Sequence, residues 1–248
     1  MTRVRGLACI LALLVAGCSS TGVGNPGVSS LSLSVVSDPE AQDEAEDLPS
    51  SEIQDAVVVI GELRFQPCDP NQGSEQVVAG PFIVDLKAGI TTPGIPDVLD
   101  TPGGYCGFKA PLAPATSAAL DGRSLFFDGT RADGTFFIVY ANMTGTLKVR
   151  ATPDRIWQGM DTPPKFFWAL RPRRWLLKSE LDDAVPMPDD SHQRAVVIDA
   201  DRYMKLYLAI RSRLAGMSTL YADADGNGTF TDSDRQAVVG VGLDNTDP

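Results

Sequence analysis

The feature that most constrains this chain is a succession of short β-branched and aromatic runs separated by turn residues. Ala56-Val57-Val58-Val59-Ile60 reads as a buried strand. Leu63 and Phe65 then alternate with polar neighbours until Cys68 and Pro70 end the stretch. Val77-Val78 precedes a Gly80-Pro81 break, after which Phe82-Ile83-Val84-Asp85-Leu86 reads as another strand. Residues 93–104 are rich in turn formers, and Tyr105-Cys106-Gly107-Phe108 resumes an extended run. Leu125-Phe126-Phe127 and Phe136-Phe137-Ile138-Val139-Tyr140 flank Asp133-Gly134. That dipeptide between apolar runs predicts a hairpin with a type I′ turn, whose two central residues both need positive φ. Leu147-Lys148-Val149-Arg150 alternates once more. Short strands at this spacing predict a mainly β protein, an antiparallel sandwich over residues 52–152.

Residues 153–248 read as a smaller mixed α/β segment. Prolines at 153, 163, 164, 172, 186 and 188 forbid long helices there. Phe166-Phe167-Trp168-Ala169-Leu170 and Trp175-Leu176-Leu177 are apolar and interrupted by Arg171, Arg173 and Arg174. Arginines among aromatics can stack on sugar rings or bases. In a chain with excess acid, pairing with carboxylates across a sheet is the expectation. Ala195-Val196-Val197-Ile198 predicts a strand. Tyr203, Leu206, Tyr207, Ile210 and Leu214 form a helical stripe ending near Gly216, while Met204, Leu206, Leu208 and Ile210 fit a strand almost as well; the helix is the chosen reading.

The segments DAVVVIGELRF, GPFIVDLKAG, the step Pro102-Gly103-Gly104-Tyr105 and LFFDGTRADGTFFIVYA together resemble the β-sandwich domains of bacterial envelope lipoproteins. The resemblance covers about residues 50–150 and implies a transthyretin-like or immunoglobulin-like sandwich. It brings no catalytic residues with it.

The N-terminus points the same way. Arg3 and Arg5 precede an apolar run over residues 7–15, too short to span a bilayer and suited to a secretory signal. Val15-Ala16-Gly17-Cys18 resembles the lipobox of bacterial lipoproteins. The resemblance implies removal of residues 1–17 and acylation of Cys18 with chains such as palmitate, anchoring the protein in the cell envelope. The small polar start, Ser19-Ser20-Thr21-Gly22, is similar to that of outer-membrane lipoproteins. Residues 18–51 read as a flexible tether, since residues 38–55 carry eight acids and neither Lys nor Arg. Within it, Leu31, Leu33 and Val35 alternate with serines, the pattern of one strand.

Loss of residues 1–17 removes two arginines and no acid, so the net charge moves from −11 to −13. Such a chain repels nucleic acid and gains nothing from an anionic membrane surface. Cys9 leaves with the signal and Cys18 takes the lipid, leaving Cys68 and Cys106. An even pair in an oxidising compartment is either a disulfide or two buried thiols, and the compartment favours the disulfide.

Near the C-terminus, residues 223–234 place oxygen-bearing side chains at loop positions 1, 3, 5, 9 and 12, with glycine at position 6. Calcium needs six to eight hard oxygens around one point, and the glycine permits the sharp turn. The stretch resembles EF-hand and dockerin-type calcium loops. The resemblance implies side-chain ligation by Asp223, Asp225 and Asn227, a backbone carbonyl from Thr229, Thr231 directly or through water, and Asp234 closing the shell. Asp at position 12 suits the dockerin type better than the EF-hand. Arg235 stands where an EF-hand has an apolar residue, and Ser218-Thr219-Leu220-Tyr221 looks like a strand rather than an incoming helix. The competing reading is an Asp/Gly-rich turn with no ion.

GxSxG, HExxH and P-loop patterns are absent from the sequence, and the only histidine, His192, sits in a polar stretch where solvation is the expectation. The sequence therefore predicts a non-catalytic, lipid-anchored binding or structural module with a structural calcium site and an envelope protein or glycan as partner. The alternative is a polysaccharide hydrolase using paired carboxylates.

Overall fold

A computed structural model describes residues 30–38, 47–49, 52–117, 120–152, 157, 164–188 and 194–243. Residues 1–17, Cys18 and His192 lie outside the described residues. Strand β1 (Ser30–Ser37) is followed by the long β2 (Ile53–Pro67), β3 (Gln76–Asp85), β4 (Ile90–Thr92) and β5 (Val98–Leu99). Then come β6 (Tyr105–Pro111), β7 (Leu125–Thr130), β8 (Phe136–Ala141), β9 (Thr146–Ala151) and β10 (Lys165–Leu170). A short helix α1 (Lys178–Asp182), β11 (Ala195–Ile198), helix α2 (Met204–Gly216), β12 (Ser218–Ala222) and β13 (Val238–Leu243) complete the order. The protein is mainly β, as expected. Among the described residues no helix is long and apolar enough to cross a membrane.

The strands join in one curled, hydrogen-bonded sheet along the path β11-β8-β7-β2-β6-β9-β13-β12-β10-β1-β5, with β3 on the other edge of β2 and β4 beyond it. The expected purely antiparallel arrangement is corrected: β1 runs parallel to β10 and β11 parallel to β8, so the sheet is mixed. Both parallel pairs join strands remote in sequence, for which local turn signals carry no information.

The curl originates in β2. Its first half pairs with β7 and its last residues with β6, so one strand stitches two half-sheets together. The pairing with β3 shifts between Ile60 and Glu62, at Gly61. Opposite lies Gly80, whose added Cβ would stand 2.6 Å from the Gly61 carbonyl oxygen, so the two backbones cross where side chains do not fit. Gly80-Pro81 therefore does not end the strand, contrary to the sequence expectation. It falls at the register shift, where a proline costs no ladder bond.

The hairpin between β7 and β8 forms, but its turn is not type I′. Gly134 alone has positive φ (82°) while Asp133 does not. The Gly134 N–H donates to the Arg131 carbonyl and the Thr135 N–H to Asp133 Oδ1. This is the three-residue hairpin in which a turn ends in a left-handed glycine.

A continuous core runs under both half-sheets. Phe108 sits edge-on to Trp168 at 4.9 Å between ring centroids and 5.5 Å from Phe65, while Phe127 packs on Trp175 at 5.8 Å. The helical stripe behaves as its spacing predicts: Ile210 and Leu214 of α2 are buried, and Tyr203, Leu206 and Tyr207 pack against the same core. Arg213 of α2 grips Glu180 of α1 through two hydrogen bonds of 2.6 and 2.8 Å. That grip, with the Leu177 N–H, holds the Glu180 carboxyl below the usual carboxylate range against the opposing effect of burial.

The tether expectation is corrected for part of residues 18–51. Leu31, Leu33 and Val35 of β1 are buried, as is Leu48. Alternating apolar residues find a sheet edge in β10, and that burial outweighs the acidic, turn-rich composition around them.

Cys68 and Cys106, 38 positions apart in sequence, form a disulfide with Cα atoms 4.8 Å apart. It joins the end of β2 to the start of β6, which are already paired at Gln66 and Gly107. Replacing both cysteines with serine lowers stability by about 4 kcal/mol in urea unfolding, because it frees a loop of this length in the unfolded chain. A second expectation concerns acid. A depressed carboxyl contributes stability above its unfolded value, about 4.3, and loses it as pH falls through the lower folded value. Urea midpoints followed from pH 6 to pH 2 show a shallower acid loss in Glu180→Gln than in the parent.

Candidate metal centre

The calcium-type loop joins β12 to β13. Its neck is closed by the Ala222 N–H donating to the Ala237 carbonyl, and the Asp223 N–H donates to Lys165 of β10. Gly226 and Gly228 have φ of 69° and 76°, a conformation that side chains disfavour, so the loop needs glycine at both places. Phe230 fastens the loop to the outer face of the sheet, with ring centroids 5.5 Å from Phe167 and 5.3 Å from Tyr221. The segment before the loop is a strand and the turn after it is the short 3-10 helix Asp234–Gln236, so the helix–loop–helix frame of an EF-hand is absent here.

Three of the expected ligands converge. Carboxylate oxygens of Asp223, Asp225 and Asp234 lie within 4.8 Å of one another. Asp234 is wholly buried and accepts from the N–H groups of Ala224 and Thr231, both at 2.7 Å, and from the Thr231 hydroxyl at 3.0 Å. Asp223 Oδ2 accepts from the Gly228 N–H at 2.8 Å, but its Oδ1 is buried with no hydrogen-bond donor. A buried carboxylate oxygen without a donor is costly unless a cation faces it.

Asp225 is exposed and accepts from the Asn227 N–H, the Asn227 side-chain amide and the hydroxyls of Thr231 and Ser233. The Asn227 N–H, more than any other contact, holds the Asp225 carboxyl below the usual carboxylate range. It is therefore ionised at neutral pH. Thr231 Oγ1 lies between Asp225 and Asp234, at 3.2 and 3.0 Å. Asn227 turns instead toward the loop itself, its Oδ1 accepting from the Thr229 N–H at 2.6 Å. Asn227 thus meets the carboxylate cluster through its amide donors to Asp225 and not through its side-chain oxygen.

Two participants were not anticipated. Ser233 bonds Asp225 and shares a 2.7 Å hydrogen bond with Thr231. Its only sequence signal is a further hydroxyl beside Asp234. Lys165 donates to the Gly228 carbonyl at 2.5 Å. Nothing local in the sequence links a lysine of β10 to a glycine 63 residues away.

The loop is also tied to the N-terminal strand. The Asp38 side chain is 1% exposed and receives Arg171 at 3.4 Å and Arg235 at 3.0 Å. The Tyr221 hydroxyl accepts from Arg171 and donates to the same carboxylate. Arg174 pairs with Asp47 at 3.2 Å, while Arg173 donates to the Leu48 carbonyl. Arg171 and Arg174 thus pair with acids, as the excess of acid predicts. Arg235, the departure from the EF-hand pattern, follows the buried Asp234 and joins the loop to β1.

No family model, curated protein or solved structure matches the chain. Asp38→Ala removes the shared partner of two arginines, and urea unfolding then shows a loss of about 3 kcal/mol.

Proposed function

We propose that this protein is a lipid-anchored, non-catalytic module of the bacterial cell envelope whose C-terminal loop holds a structural calcium ion. The observation that carries the cation reading is Asp223 Oδ1, buried without a donor beside two further carboxylates. Hard, partly fixed oxygens around one point are what calcium selects. Asp223, Asp225 and Asp234 would supply side-chain ligands with Thr231 between them. Asn227 and the Thr229 carbonyl would complete the shell. An extracytoplasmic site meets steady calcium, and modules in that setting are tuned to about 10⁻⁴–10⁻³ M, so a stabilising role fits better than a regulatory one.

The anchor rests on the lipobox-like residues before Cys18 and on the polar stretch after it, and the outer membrane is the proposed location. Aromatic side chains from both half-sheets meet in one core, which supports a closed body of sandwich type. An envelope protein or a glycan is the proposed partner, and nucleic acid is not.

Two experiments test the reading. Thermal melts of the chain from residue 19 onward show a rise in Tm with calcium that chelator reverses and that the Asp223→Asn/Asp225→Asn variant lacks. At 100 times the dissociation constant the gain is about 2.7 kcal/mol. An unchanged Tm at millimolar calcium reduces the loop to a turn. For the anchor, cells fed labelled palmitate yield a labelled, membrane-bound protein, and Cys18→Ala abolishes both label and sedimentation with membranes.

A further inference from the structure

Strand β1 is held mainly from one side. It runs parallel to β10 over Ser32–Ser37, while among the described residues its other edge is paired only at Ser30 and Leu31, with β5. Parallel pairing is slightly the weaker kind per residue, and a strand with one edge largely unpaired opens locally before strands inside a sheet do. Burial of Leu31, Leu33 and Val35 keeps it seated.

The calcium-type loop holds the same strand along three routes. Asp223 donates its N–H to the carbonyl of Lys165, the residue that stands opposite Ser32 in the β1–β10 register. Phe230 stacks on Phe167, and Val36 of β1 packs against that same small apolar cluster. Arg235 follows Asp234 directly in sequence, and its Nε donates to the buried Asp38 at the end of β1, at 3.0 Å. Asp223 and Asp234 close the two ends of the loop, and both belong to the carboxylate cluster. Without a cation, carboxylates this close repel one another, and Asp223 Oδ1 stays buried without a donor. An ion that draws them together fixes the backbone at both ends of the loop, and with it Phe230 and Arg235.

We infer that calcium at this loop controls how firmly β1 is docked, so that the ion site and the N-terminal strand form one coupled unit. The coupling rests on the calcium reading of the loop. Linkage makes it reciprocal: the factor by which calcium favours the seated strand is the factor by which the seated strand favours calcium. In a protein anchored through Cys18, a parted β1 would add eight residues, at most about 29 Å, to the span between lipid and body.

The test is amide hydrogen exchange of the full-length chain in millimolar calcium and in chelator, with calcium affinity measured by calorimetry. Ser32 and Asp38, whose N–H groups donate to the Pro164 and Leu170 carbonyls, report the seating of β1. Ala224, which donates to Asp234, reports the loop. Calcium is expected to slow exchange at Ser32 and Asp38 by about fivefold or more, the lower end of usual coupling between sites. Arg235→Met, which spares every carboxylate of the cluster, removes most of that slowing and weakens calcium by a similar factor. Val36→Ala, a change in β1 and not in the loop, also weakens calcium. Slowing at Ala224 with none at Ser32 and Asp38 would overturn the coupling and leave the calcium site standing. Unchanged calcium affinity in both variants would do the same. No heat of binding and no slowing at Ala224 would overturn the calcium reading, and the coupling with it.

Discussion

The buried carboxylate of Asp38 is the interaction on which the rest of the structure leans. It stands where β1 ends and gathers Arg171 from the end of β10, Tyr221 from β12 and Arg235 from the loop before β13. Three parts of the chain that share no turn are held around one charge. A carboxylate so enclosed is tolerable only because two guanidinium groups and a phenol answer it, and each of those needs the carboxylate in return. This mutual need makes the N-terminal strand part of the C-terminal half.

The second constraint is the bend in β2. A sheet of this many strands twists too far to remain open, and the crossing of Gly61 and Gly80 lets one strand change neighbours from β7 to β6. The disulfide then fixes the end of that strand to β6. The aromatic core of Phe65, Phe108 and Trp168 fills the space that the curl encloses.

The seat of the loop follows from these two features. Phe230 can lie on Phe167 and Tyr221 only because β10 and β12 are adjacent. Within this short segment Asp234 is buried and Asp225 is exposed, so the carboxylates stand at the boundary between the core and solvent.

Much of this was legible from local pattern. The alternation of Leu31, Leu33 and Val35, the stripe from Tyr203 to Leu214 and the Asp-Gly hairpin depend on residues a few positions apart. So does the spacing of Asp223, Asp225 and Asp234 around Gly228. Local backbone geometry converts such spacings directly into direction. Tertiary structure alone decided that β1 and β10 run parallel, that Gly80-Pro81 continues a strand, that Lys165 reaches the loop and that Arg235 meets Asp38. Those outcomes turn on which distant surfaces bury each other. Burial energy depends on the partner found and not on the residues that precede or follow in sequence.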